Sequence, residues 1–169
     1  MNTNPLKKFI TAGLIAGLTC FTTYIFKFPL PIGYIHPGDS FVILSGIMLG
    51  PLYGALSAGI GSLLADLLAA YPQYALATFF IKGLAAILCS LIYRKLKRKL
   101  YSVILAGVFS GIIVTLGYFT VEYFMYGLAG ALSGIPLNSV QNLFGIILSA
   151  MLYSLLYRIP QVKDMIGYY

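Results

Sequence analysis

The chain has 169 residues, 60% of them hydrophobic and 9% charged, with a net charge of +7 and a mean hydropathy of +0.91. Soluble domains carry about 25% charged residues, so an ordinary water-soluble fold is excluded. The apolar stretches are continuous rather than alternating, which excludes a transmembrane barrel. They predict an all-α integral membrane protein with room for about five or six helices of roughly 20 residues.

The first apolar run covers residues 7–28 behind Lys7 and Lys8. It is too long for a signal peptide and no clear cleavage site precedes Lys27, so it reads as a retained helix. Residues 29–37, PLPIGYIHP, combine three prolines with a glycine and predict an ordered or reentrant loop. A short run at 39–49 ends at Gly50 and Pro51, and further runs follow at 52–70 and 75–93. The basic string RKLKRK comes next, then a run at 101–126, a Gly-rich connection GLAGALSGIP, and a last run at 137–157. The whole chain is one transmembrane domain of six predicted spans.

Nine of the eleven Lys and Arg fall in three clusters: Lys7 and Lys8; Arg94, Lys95, Lys97, Arg98 and Lys99; Arg158 and Lys163. Each flanks an apolar run, as cytoplasmic ends do. Six crossings put all three clusters, and hence both termini, on the cytoplasmic side. The 39–49 run is weakest, since as a helix it is only about 17 Å long. It crosses only if buried in protein, if the bilayer thins, or if it continues past Gly50. The first loop, the Tyr71 to Tyr74 turn and the Gly-rich connection then lie outside, where they could form a lid. Basic residues interleaved with base-stacking aromatics on a soluble surface are missing, so nucleic acid is not an expected partner.

Asp39, Asp66, Lys82 and Glu122 sit in or against apolar runs, toward the outer half. An ionisable group at membrane depth costs about 2.5–3.5 kcal/mol on insertion scales and is normally kept where it meets a partner, a ligand or water. Asp39 either caps its helix or contacts a ligand. Asp66 lies about 6 Å inside its span and Lys82 about 10 Å inside the next, so an Asp66–Lys82 ion pair is expected. Glu122 shares a helix face with Tyr118 and Tyr126, forming either a heterocycle-binding wall with Tyr74 nearby or an interfacial tyrosine girdle. Asn138, Gln141 and Asn142 occupy the outer turns of the last run, where carboxamides either read a ligand or cross-link helices. His36, alone in the outer loop, reads as structural rather than metal-ligating. Cys20 and Cys89 read as small hydrophobes.

Ala12, Gly13, Ala16 and Gly17 make a small-residue stripe in the first span, suited to close helix packing. That packing is either internal or a docking strip for another membrane subunit. No zinc-type histidine pair, Walker sequence or Ser–His–Asp spacing occurs, so neither a catalytic residue nor a cofactor is expected.

The stretch PGDSFVILSGIMLGPLYGALSAGIGSLLADLLAAYPQYALATFFIKG resembles the GD…LGP…G…GS…AD…Y…T…IKG pattern of substrate-binding S components of energy-coupling factor (ECF) transporters. Ala12-x-x-x-Ala16 resembles that family's docking motif. The resemblance covers nearly the whole chain. It implies capture of a small heterocyclic vitamin or precursor from outside, pyridoxine-like or hydroxymethylpyrimidine-like. It also implies work with a transmembrane T subunit and two ATPases, with the S component toppling in the bilayer to deliver the solute. The absence of tryptophan departs from some thiamin-binding members. The alternatives are a small membrane enzyme acting on lipid or isoprenoid substrates through Asp66, Glu122 and a metal, or an autonomous secondary transporter. The first wants acids at the cytoplasmic face, where only Asp164 lies; the second wants repeated halves, and none is evident.

Overall fold

Long apolar runs satisfy their own backbone only as helices. Four such helices build the body of the computed structural model, which describes residues 5–30, 33–96 and 99–167. Pro31 and Ile32 of the first loop, Lys97 and Arg98 of the basic string and the Asp164 side chain lie outside the described residues. Helix α1 spans Pro5–Ile25, α2 Asp39–Leu68, α3 Pro72–Lys95 and α4 Leu100–Leu156. Between α1 and α2 a two-stranded antiparallel hairpin pairs β1, Phe28–Pro29, with β2, Tyr34–Ile35. A short α5, Pro160–Gly167, closes the chain and buries Ile166 in the core. Each of α1 to α4 is long and apolar enough to cross a membrane by length and composition.

The start signals are local. Pro72 opens α3 where a missing N–H costs nothing, and Arg94 and Lys95 sit in its last turn against the negative helix end. At the start of α4 the Lys99 amide donates to Ser102 Oγ at 3.2 Å, and Ser102 Oγ donates to Leu96 O at 2.5 Å, which ties the α3–α4 turn together. Asp39 is the first residue of α2 but caps nothing. The Gly38 amide is satisfied instead by His36 Nδ1 at 3.1 Å, which leaves the Asp39 carboxylate free for longer-range partners.

Helices α2 and α4 each fold back on themselves. Gly50 (φ 80°, ψ −177°) and Gly127 (φ 74°, ψ −176°) hold left-handed φ values that an L side chain resists. In a straight helix Ser45 and Gly54 would stand about 13 Å apart, yet Ser45 Oγ lies 3.1 Å from Gly54 O. Asn142 and Gly111 would be about 46 Å apart in a straight helix; the Asn142 amide nitrogen donates to Gly111 O at 2.9 Å. Each helix is therefore a hairpin with a one-residue corner.

This corrects the expectation for GLAGALSGIP. Only Gly127 leaves helical geometry, and helix resumes at 128 rather than 137. The glycines beyond it serve close packing of the two arms, as small residues do in membrane helices. The short 39–49 segment is the centre of the molecule. Residues 42–50 are all buried, and Ile43, Leu44, Ile47 and Leu49 pack with Ile15, Cys89, Tyr93, Val103, Ala106 and Tyr153 from the other helices. Around this core the outward faces stay apolar: Phe9, Leu14, Leu84, Phe124 and Phe144 are all more than half exposed. Apolar surface on that scale needs lipid rather than water against it.

Candidate functional site

The polar side chains gather at one end of this bundle. Prolines and a glycine keep the α1–α2 connection from continuing either helix, so it doubles back as the β1–β2 hairpin, closed by a Leu30 N–H bond to Gly33 O at 3.1 Å. The hairpin packs against α4 and, through Tyr34, against Asp66 near the end of α2 and Tyr71 just before α3. The His36 amide donates to Gln141 Oε1 at 3.1 Å, Gln141 Nε2 donates to Asp39 Oδ2 at 2.9 Å, and Lys82 Nζ meets Asp39 Oδ1 at 2.5 Å. One hydrogen-bonded chain thus joins the hairpin, α4, α2 and α3. Lys82 is fully buried, which is tolerable only because its charge is paired.

The expected Asp66–Lys82 pair is therefore corrected to Asp39–Lys82. The cause is the central placement of residues 39–49, which sets Asp39 against α3. Asp66 instead faces the hairpin, where the Tyr34 hydroxyl donates to its Oδ1 at 2.5 Å. Burial, reinforced by Asp66, raises the pKa of that phenol above the ordinary tyrosine range. Burial pushes His36 down to about 4 despite the opposing pull of Asp39. A neutral imidazole fits its contacts: Nδ1 accepts from the Gly38 amide and lies 3.3 Å from Thr23 Oγ1.

Beneath the hairpin is a cavity with about 490 Å³ of free space, mouth included. Its walls include Tyr34 and His36 from the hairpin region, Asp66 from α2, Tyr74 and Thr78 from α3, and Tyr118, Glu122, Gly134, Asn138 and Gln141 from both arms of α4. The rings of Tyr34, Tyr71, Tyr74 and Tyr118 run in series with centroids 5.0, 6.4 and 6.2 Å apart. Tyr118 is fixed by a 2.9 Å hydroxyl bond to Thr78 and by Lys82 Nζ 5.3 Å from its ring centroid. Three polar atoms on the wall have no hydrogen-bond partner among the described residues: Asp66 Oδ2, the Tyr74 hydroxyl and Glu122 Oε2. A wall of tilted phenol rings with two unpartnered carboxylate oxygens and an unpartnered hydroxyl is equipped to hold a flat, donor-bearing molecule.

Of the residues singled out from sequence, Asp66, Tyr74, Tyr118, Glu122 and Asn138 line this cavity, while Asp39 and Lys82 form the bonded support beneath it. Asn142 lies elsewhere; its amide nitrogen ties the arms of α4 by bonds to Gly111 O and Thr115 Oγ1. Sequence reasoning did not assign Tyr34, Thr78, Gly134 or Gln141 to the site. Of these, Gln141 carried a signal as one of the outer-turn carboxamides of the last run, Thr78 as the threonine of the quoted pattern, and Tyr34 as the phenol within the loop PLPIGYIHP. The small-residue stripe divides. Ala12 is buried, its carbonyl accepts a 2.9 Å bond from Ser57 Oγ, and Ala16 backs onto Gly61 of α2. Gly13 and Gly17 face outward with open space beside them.

Comparison with known proteins gives concordant results. The family model for the S component of ECF-type riboflavin transporters matches residues 3–158. An uncharacterized protein of Pyrococcus woesei is 36% identical over 146 residues, covering 85% of this chain and 97% of the relative. The thiamine precursor transporter HmpT of Lactococcus lactis subsp. cremoris is 28% identical over 162 residues, covering 94% and 92%. A solved structure described as the S component of a bacterial ECF transporter superposes with a TM-score of 0.75 at 25% identity, covering 92% of this chain and 98% of that one.

Proposed function

The chain belongs to the ECF-type riboflavin transporter S component family, and we propose that it is the subunit that captures a small heterocyclic vitamin or precursor, pyridoxine-like or hydroxymethylpyrimidine-like, from outside the cell. It is a multi-pass protein of the cell membrane. Counting each arm of α2 and α4 separately gives six crossings, with both termini and the basic clusters in the cytosol and the cavity facing outward. The HmpT relative supports a precursor-sized heterocycle. The observation that carries the reading is the cavity itself: Asp66, Glu122 and Asn138 presented among Tyr34, Tyr74 and Tyr118, under a hairpin, at the end opposite the basic clusters.

The chain binds and delivers; it performs no reaction. Energy comes from a T subunit and two ATPase subunits, and the exposed Gly13 and Gly17, continuous with Ala12 and Ala16, supply the surface on which the T subunit docks. Binding therefore needs no nucleotide. Purified protein screened against a broad vitamin and precursor panel by thermal shift and native mass spectrometry should retain a heterocycle without ATP. A panel with no binder would count against the reading.

A further inference from the structure

Glu122 and Asp66 are the cavity's two carboxylates, and neither forms an ion pair among the described residues. Lys82, the buried cation of this region, is committed to Asp39. Glu122 and Asp66 are 6% and 5% exposed, yet each keeps one oxygen without a partner among the described residues. The Glu122 carboxylate rests directly on the Cα face of Gly134, where a Cβ would run into Oε2. Any larger residue at 134 would push the carboxylate from its place in the cavity wall. A buried carboxylate with an open oxygen destabilises the empty protein, since it has given up water without gaining a full set of partners. Such groups persist where a ligand supplies what they lack.

Two carboxylates, each with an open oxygen, fix the electrostatic character of that ligand. A phosphate ester or a carboxylate would be repelled by both. A ring edged mainly with carbonyls would set acceptors against acceptors. An amine or protonated ring nitrogen gives Glu122 a charge-assisted hydrogen bond, and a second donor, hydroxyl or amine, satisfies Asp66 Oδ2. The tyrosine series between them takes the flat face of a cationic ring.

We propose that this cavity selects an unphosphorylated, amine-bearing or protonated aromatic nitrogen heterocycle, with its cationic edge on Glu122 and a second donor on Asp66. The assignment rests on the S-component reading and narrows it: within a family named for riboflavin, this chain discriminates against the carbonyl-edged flavin ring. Gly134 acts as a positioning residue by keeping room for the Glu122 carboxylate.

Calorimetry on the full-length chain in nanodiscs tests this with three probes: 4-amino-5-hydroxymethyl-2-methylpyrimidine, its phosphate ester, and riboflavin. The aminopyrimidine should bind, with the other two at least about tenfold weaker, the range of one lost charged hydrogen bond. Glu122→Gln and Asp66→Asn should each weaken the aminopyrimidine about 10- to 100-fold while raising the Tm of the empty protein, a rise that a misfolded variant would not give. Gly134→Ala, which retains both charges, should weaken the same probe and leave riboflavin unaffected. Riboflavin or the ester binding as tightly as the amine, or unchanged amine affinity in both carboxylate variants, overturns the ligand class and leaves the receptor reading standing. If none of the probes binds and no member of the wider vitamin panel does, the receptor reading falls and this assignment with it.

Discussion

Lys82 is the residue whose environment allows least change. Its ammonium is fully buried, and Asp39 is the partner that makes this possible. Removing one member of a buried pair leaves the other uncompensated, a loss of about 3–5 kcal/mol, whereas replacing both with apolar groups of similar volume is often neutral. Lys82→Met should therefore lower the unfolding midpoint sharply in detergent, and the double variant Lys82→Met with Asp39→Leu should recover part of the loss. Equal destabilisation by the single and double variants would remove the pair from the stabilising set. His36 supplies a pH signature. Its pKa is about 4 when folded against an ordinary value of 6.5, so between these values the unfolded chain binds a proton that the native chain does not. Stability is then highest above pH 6.5 and falls as pH drops toward 4. His36→Asn should flatten that part of the Tm-versus-pH curve; a curve identical to the parent's would contradict it. At this scale the sequence exposed the ionisable residues but not their pairing. Four charges in apolar runs stand out in a chain with few acids. Choosing Asp66 for Lys82 assumed that neighbours along the chain pair first. The central position of residues 39–49, which puts Asp39 beside Lys82, is a tertiary fact with no local mark.

At the scale of elements, glycine carried two meanings that composition alone does not separate. Gly50 before Pro51 signalled a break, and the chain does turn there. The glycines of 127–136 gave the same signal, yet Gly127 alone turns the chain and the others let the arms of α4 approach. Gly127 has nothing within contact of a hypothetical Cβ, so the cost of a side chain there is purely conformational. Gly127→Ala should destabilise by about 1–3 kcal/mol, the penalty for an L residue held at positive φ with extended ψ, a region essentially reserved for glycine. Thermal unfolding measures it, and a neutral result would mean that the corner is held by something other than its backbone. The small-residue stripe of α1 reads the same way. Its spacing marked a packing face, but only the fold separates Ala12 and Ala16, which meet α2, from Gly13 and Gly17, which face open space among the described residues. Gly13→Trp and Gly17→Trp should spare folding and ligand binding while abolishing uptake when the T and ATPase subunits are coexpressed. Normal uptake by both would move the docking surface elsewhere.

For the whole molecule, charge and cavity set a direction. The three basic clusters flank the ends of α1, α3 and α4 that lie away from the hairpin, while Tyr34, Asp66, Tyr74, Glu122 and Asn138 converge at the other end. Lysine and arginine stay cytoplasmic because they are costly to carry across, so the opposite end, with its cavity, should face outward. This asymmetry was readable from the spacing of basic residues and apolar runs alone, because it depends on order along the chain rather than on contacts. The cavity walls were only half readable, because Tyr34 and Gln141 reach the site through the hairpin and the α4 corner. Membrane-impermeant thiol labelling of intact cells tests the direction in a background with Cys20 and Cys89 replaced by alanine. Single cysteines at Gln73 and Leu128, both exposed near the corners at the cavity end, should react from outside. Cysteines at Lys99 and Arg158, exposed at the basic end, should react only after permeabilisation. The reverse pattern would turn the cavity toward the cytosol. A receptor for an external solute could not work in that orientation, since Asp66 and Glu122 would meet their ligand on the side to which it is delivered.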